Sequence, residues 1–241
     1  MITCIIQARM SSSRLPGKVM QKISENKRVI DFVINQLQGS KRIEKIIVAI
    51  PDEREDDVTY DHLMSKNIFT FRGSLNNVLD RYYQCAKSNS SSIIIRITAD
   101  CPLIDPQIVD SVITEFIENK FDYVSNTHPR TFPYGTETEV FSFDALKIAW
   151  EEANDNYDKE HVTPYFYKNP DKFRIGNFSQ NTNQTNYRWT VDYEEDLTLV
   201  KKIVHEISKN PILTNHIIDL LEKNPEIVKI NKKHNYESRN N

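Results

Sequence analysis

Five short apolar runs, rich in Ile and Val, punctuate the first half of the chain: CIIQA (4–8), KIIVAI (45–50), IFTF (68–71), SIIIRIT (92–98) and FDYVS (121–125). Each is brief enough to be a strand and apolar enough to be covered on both faces. Amphipathic segments of helical length separate them, at 29–38, 56–66, 75–88 and 106–119. Ser74 is placed to cap the third, and Asp105 followed by Pro106 supplies a cap and a first-turn proline for the fourth. Strands alternating with helices predict βαβ units and an α/β fold with a mainly parallel sheet flanked by helices.

The rhythm changes after about residue 126, where a smaller α+β portion is expected. A loop NTHPRTFPYG leads into the strand TETEVFSF, then into a helix SFDALKIAWEEAN capped by Ser142. A further helix is expected over 157–168, strands at FRIGNF and NYRWTV, and a long helix at YEEDLTLVKKIVHEI. No linker rich in Pro, Gly or Ser divides the halves, which favours one continuous domain over 1–241, with halves at about 1–126 and about 127–234 and a frayed tail at 235–241. The acidic run PDEREDD (51–57) reads as a solvated loop and helix start, and Lys232, Lys233 and His234 as a solvated tail.

The formal net charge of −3 argues against a global affinity for nucleic acid, so any anion site is local. Residues 1–30 supply one: Arg9, Arg14, Lys18, Lys22, Lys27 and Arg28 face only Glu25. No signal peptide or membrane span is visible, which leads us to expect a cytoplasmic protein with no membrane partner. Cys4, Cys85 and Cys101 are odd in number and widely spaced, so they read as reduced thiols, with Cys101 a small buried residue rather than a nucleophile.

The loop after the first strand of an open α/β sheet is a frequent phosphate site. Here it carries ARMSSSRLPGK. Arg9 and Arg14 offer planar forks of donors, Lys18 a compact charge, and Ser11, Ser12 and Ser13 hydroxyls that close around an oxyanion. A Walker loop is excluded by Ser12 and Val19, and Gly17 stands alone, so no dinucleotide fingerprint is present. Asp100, at the end of SIIIRIT, projects from a strand end toward the same crevice.

As a whole, A-R-M-x-S-x-R-L-P-G-K resembles the signature of the cytidylyltransferases that activate acidic sugars, the acylneuraminate and ketodeoxyoctulosonate superfamily, and most nearly its spore-coat polysaccharide SpsF group. FRGSLNNVLDRYYQCAK (71–87), RITADCPLIDPQIVD (96–110), YG-x-x-x-EVFSFDALKIAW, EHVTPY (160–165) and RWTVDYEEDL (188–197) continue the likeness. The resemblance implies a Rossmann-like nucleotidyltransferase fold and transfer of CMP from CTP to an acidic sugar or related phosphate or carboxylate acceptor, with release of pyrophosphate, in surface polysaccharide or glycan synthesis. It implies Mg²⁺ held by Asp100 and Asp192, and catalytic work by Arg9, Arg14, Lys18 and Asp100. By motif position it places Gln7, Ala8, Arg9, Ser11, Arg14, Lys18, Arg72, Arg96, Thr98 and Asp100 on the nucleotide, and Tyr134, Glu139, His161 and Arg188 on the acceptor. Arg72 and Arg96 are equally readable as ion-pair partners, and His161 as a structural histidine. The better-known acid-sugar enzymes carry Gly-Asp where this chain has Ala99-Asp100, followed by Cys101-Pro102. That departure bears on the sugar more than on the nucleotide. A glycosyltransferase of related fold and a nonenzymatic nucleotide-binding protein are the alternatives, although the first lacks its Asp-x-Asp motif because Thr98 precedes Ala99-Asp100. The sequence does not give the oligomeric state, and a homodimer stays open.

Overall fold

The computed structural model describes residues 1–234; the tail expected at 235–241 lies outside them. Seven strands form one sheet: β1 (Ile2–Gln7), β2 (Lys45–Pro51), β3 (Thr70–Gly73), β4 (Ile93–Thr98), β5 (Tyr123–Ser125), β6 (Glu139–Ser142) and β7 (Ile175–Asn177). Their order is β3-β2-β1-β4-β6-β5-β7. Strands β3, β2, β1 and β4 run parallel, and β6 is antiparallel to both β4 and β5.

Alternation along the central strands explains their apolar runs. In β1, Cys4 and Ile6 face one apolar cluster while Ile5 faces the other; in β4, Ile95 and Ile97 oppose Ile94. The first cluster is completed by α1 (Val29–Leu37) and α4 (Pro106–Glu118), with Leu63 from α2 (Asp57–Ser65). The second is completed by α3 (Val78–Ser88), α5 (Phe143–Glu152) and α7 (Pro164–Lys168). A third gathers Trp189 and Val191 with α8 (Glu194–Glu206), α9 (Thr214–Lys223) and α10 (Pro225–Val228). Among the described residues no helix is long and apolar enough to cross a membrane.

Several local expectations are corrected. Ser74 does not cap α3: its Oγ accepts from Asn77 N (3.0 Å) inside the preceding turn, and Asn77 is the cap, accepting from Asp80 N (2.9 Å). The helix expected over 157–168 is two, α6 (Asn156–His161) and α7, parted at Val162. Pro164 has no N–H to continue α6 but suits the first turn of α7. NYRWTV forms no strand; its backbone makes one parallel bridge, Tyr134 to Arg188. His234, read as solvated, stacks on Tyr193 at 3.8 Å and meets Glu195 at 3.0 Å, with Lys233 on the same carboxylate at 2.6 Å.

Candidate active site

The site begins where β1 and β4 end side by side, with Gln7 in register with Thr98. Chain order reverses at this pair, so the two following loops leave a crevice between them. It forms a cleft of about 400 Å³. Hydrogen bonding shapes the first loop. Met10 O accepts from both Ser12 N and Gly17 N (2.9 Å each), and Gly17 takes the left-handed conformation (φ 68°) that turns the chain into Lys18. From below, Met10 N donates to Asp56 Oδ1 at 2.8 Å. Asp56, expected to be solvated, is 1% exposed, and burial raises its carboxyl above the ordinary range.

Lys18 Nζ donates to Asp100 Oδ2 at 2.6 Å and to Asp192 Oδ1 at 2.8 Å. Arg14 adds a second bond to Asp192 Oδ1 at 2.6 Å, and Arg188 donates to Oδ2 at 2.9 Å. Thr98 Oγ1 donates to Asp100 Oδ1 at 2.5 Å. Burial alone would raise the Asp192 carboxyl, but the Lys18 charge and hydrogen bonds from Lys18, Arg188 and Arg14 outweigh it and hold the group well below the usual carboxylate range. Burial works against the Lys18 ammonium too, yet Asp100 and Asp192 prevail and raise its pKa.

Two carboxylates 92 residues apart meet because the backbone ties their segments together. Val191 N and Thr190 Oγ1 both donate to Asp100 O, at 2.7 and 3.2 Å. On the other side Trp189 N donates to Tyr134 O at 2.8 Å, and Gly135 (φ +106°) lies so close that a Cβ there would stand 2.7 Å from the Trp189 ring. Asp196, fully buried at the start of α8, accepts from Asp192 N (2.9 Å), Tyr193 N (3.0 Å) and Arg188 (3.1 and 3.2 Å). Asn231 completes its shell at 2.8 Å. Nothing in sequence spacing singles out Asp56, Asp196 or Asn231 as supports; their signal is burial, visible only once folded.

The structure separates the expected residues into two sets. Gln7, Ala8, Arg9, Arg14, Lys18, Thr98, Asp100 and His161 line the cleft, together with Ser12, Ser13 and Glu160. Glu160 was not anticipated; it meets Arg9 at 3.7 Å across the mouth. Ser11 lies outside, in a neighbouring hollow with Glu53 and Leu75. Arg72 stands on β3 away from the cleft, held by Asp57 (2.7 Å), Asp52 (2.9 Å) and Glu53 O (3.0 Å). Arg96 and Glu139 face each other across β4 and β6 as an ion pair, and Tyr123 Oη donates to Glu139 at 2.6 Å. Arg188 is 8% exposed and committed to Asp192 and Asp196, so it orients a carboxylate rather than reaching for an acceptor. Tyr134 packs under the Arg130 guanidinium, 4.1 Å from its ring centre, and does not line the cleft. Cys101 is buried, and burial with the nearby Glu137 and Asp100 charges pushes its thiol well up, away from nucleophilic use.

An arginine- and lysine-bearing loop facing one aspartate beyond the end of β4 and a second from the loop before α8 agrees with the match of residues 3–235 to the cytidylyltransferase family. The chain belongs to that family. This cytidylyltransferase is 31% identical to the spore coat polysaccharide biosynthesis protein SpsF of Bacillus subtilis, over 93% of this chain and 95% of that protein. A solved cytidylyltransferase from Leptospira borgpetersenii superposes with a TM-score of 0.90 at 31% identity, covering 94% and 96% of the two chains. The fold alone is shared with a CMP:2-keto-3-deoxy-manno-octonic acid synthetase solved with CTP, at a TM-score of 0.65 and 15% identity over 85% and 98% of the chains.

The donor set fits a magnesium ion. Asp100 and Asp192 converge on one ammonium nitrogen and present hard oxygens, and among the described residues no group of three or more His, Cys, Asp or Glu side chains is placed to hold a metal ion. Magnesium commonly takes one or two carboxylates and leaves its other positions to water and substrate phosphates.

Proposed function

We propose that this cytidylyltransferase transfers CMP from CTP to an acidic sugar or a related phosphate- or carboxylate-bearing acceptor, with release of pyrophosphate, in the cytoplasmic stage of surface polysaccharide or glycan synthesis. The observation that carries the reading is the meeting of Arg14, Lys18, Asp100 and Asp192 at the carboxyl ends of β1 and β4. Family membership supports the nucleotide, and the likeness to SpsF supports the pathway class.

Phosphoryl transfer asks mainly for alignment and for neutralisation of charge in the transition state. Arg9 and Arg14 grip phosphate oxygens with forked donors, while Ser12 and Ser13 close the loop around them. Lys18 offsets charge on the α-phosphate or on the departing pyrophosphate. Asp100 and Asp192 would hold magnesium, which would supply Lewis-acid polarisation of a phosphoryl oxygen and offset negative charge there. Arg188 and Asp196 hold Asp192 against Lys18 and Arg14, which line the cleft. Glu160 and His161, at the opposite lip, face the acceptor. A phosphate or carboxylate oxygen that itself attacks is already deprotonated at neutral pH and asks for no strong base, whereas an attacking sugar hydroxyl gives up its proton to solvent or to a cleft carboxylate.

A pyrophosphate-release screen of four nucleoside triphosphates against acidic and phosphorylated acceptors tests this, with magnesium present or withheld. Release with CTP alone, and only with magnesium, is the expected result. Absence of release with every pairing, or glycosyl transfer from a nucleotide sugar, rejects it.

A further inference from the structure

Every oxygen of the carboxylate pair has a donor within the protein. Lys18 bonds Asp100 Oδ2 and Asp192 Oδ1, Arg14 shares Asp192 Oδ1, Arg188 takes Asp192 Oδ2, and Thr98 takes Asp100 Oδ1. The donors are not held alike. The Arg188 side chain is 7% exposed and is fastened by Asp196, which is itself enclosed. Arg14 is 46% exposed, and the Lys18 side chain, 11% exposed, forms its ion pairs with Asp100 and Asp192. Among the described residues, of the three charged donors only Arg188 has an ion pair outside the two aspartates, so Lys18 and Arg14 are the two free to exchange, and Thr98 is a neutral donor.

We propose that Lys18, aided by Arg14, is an internal counter-cation of the Asp100–Asp192 pair, and that both change partner from carboxylate to phosphate as CTP and a divalent cation enter. This rests on the nucleotide reading above and adds a binding order to it. A divalent cation arriving alone must displace an ammonium that has no other anion to go to. A triphosphate arriving alone draws Lys18 and Arg14 away and leaves two bare carboxylates facing its own charge. Arriving together, each ligand supplies what the other displaces, so their binding is mutually reinforcing and equal in both directions. Lys18 thus guards the pair against divalent cations when no nucleotide is present.

The test uses the full chain without nucleotide and Mn²⁺ as the probe, followed by electron paramagnetic resonance, in wild type, Lys18→Met and Lys18→Met/Asp192→Asn. Methionine keeps the length of the stem and removes the charge. Lys18→Met is expected to bind one Mn²⁺ about tenfold more tightly than wild type, a difference of about 1.4 kcal/mol, and the double variant to lose that gain. Thermal shifts read the coupling: wild type responds to Mn²⁺ with CTP by more than the two separate shifts added, whereas Lys18→Met responds to Mn²⁺ alone. Equal or weaker Mn²⁺ binding by folded Lys18→Met overturns the proposal. If circular dichroism shows that variant unfolded, Arg14→Met decides: a gain of about threefold supports the exchange, and no gain overturns it. Failure of CTP to release pyrophosphate would end the transferase reading and leave the Mn²⁺ result standing; equal Mn²⁺ affinities would do the reverse.

Discussion

Two acid–base clusters lie within a few residues of each other on β4, and they are built for opposite purposes. Arg96 and Glu139 sit directly across from one another on paired strands, and Tyr123 on the next strand closes the group. Burial would raise the Glu139 carboxyl, but the Arg96 charge and hydrogen bonds from Tyr123, Thr163 and Arg96 outweigh it and hold it below the ordinary range. Parting this pair means parting a sheet. Two residues further along, Thr98 and Asp100 open into the second cluster, whose other members come from two loops, at Arg14 and Lys18 and at Asp192. Loops can yield where strand ladders cannot. The same side-chain chemistry is thus a lock where hydrogen-bonded strands carry it and an exchangeable arrangement where loops do.

Substitutions sharpen that contrast. Asp100→Asn is expected to cut pyrophosphate release by about a thousandfold while circular dichroism and the melting curve stay near wild type, because the cleft group serves the reaction rather than the fold. Glu139→Ala should do the reverse. It strands Arg96 in the sheet and costs about 3 kcal/mol in denaturant unfolding, with CTP affinity of the folded protein little changed. Arg14→Ala should weaken CTP about tenfold in calorimetry and cytidine less than twofold, since only the triphosphate meets the guanidinium. The pH response separates the clusters further. Asp192 has a folded pKa below its unfolded value, so its contribution is present above the unfolded value of about 4 and is lost as pH falls through the lower folded one. Asp192→Asn should therefore cost about 2 kcal/mol from pH 5 upward, and the gap to wild type should close only in strong acid, read as melting temperature against pH. Arg72→Ala, outside both clusters and paired with exposed carboxylates, is expected to change stability by less than about 1 kcal/mol and turnover by less than twofold.

The parallel strands were legible because a strand covered on both faces must be apolar at every position, and β1, β2 and β4 announce themselves that way. The basic loop stood out by its charge density alone, and the structure sets its Arg9, Arg14 and Lys18 along one cleft. Partnerships across the sheet were not. Glu139 looks like a ligand group, and Arg96 equally like a ligand group or an ion-pair partner, until a register 43 residues apart puts them face to face. Arg188 looks like an anion clamp until Asp196, hidden in an acidic helix start, claims it. NYRWTV has strand composition, but its hydrogen bonds go to Tyr134 and Asp100 instead of to a ladder, and no local pattern encodes that choice. The break at Val162 was within reach, since Pro164 marks it.

Asn231, nearly the last described residue, reaches back to Arg188 O at 3.1 Å and to Asp196 at 2.8 Å. The loop of Arg14 and Lys18 is synthesised long before Asn231, so the carboxylate it answers to gains this buttress late. Shortening the protein ahead of Asn231 should therefore loosen a cleft whose first members lie some two hundred residues earlier.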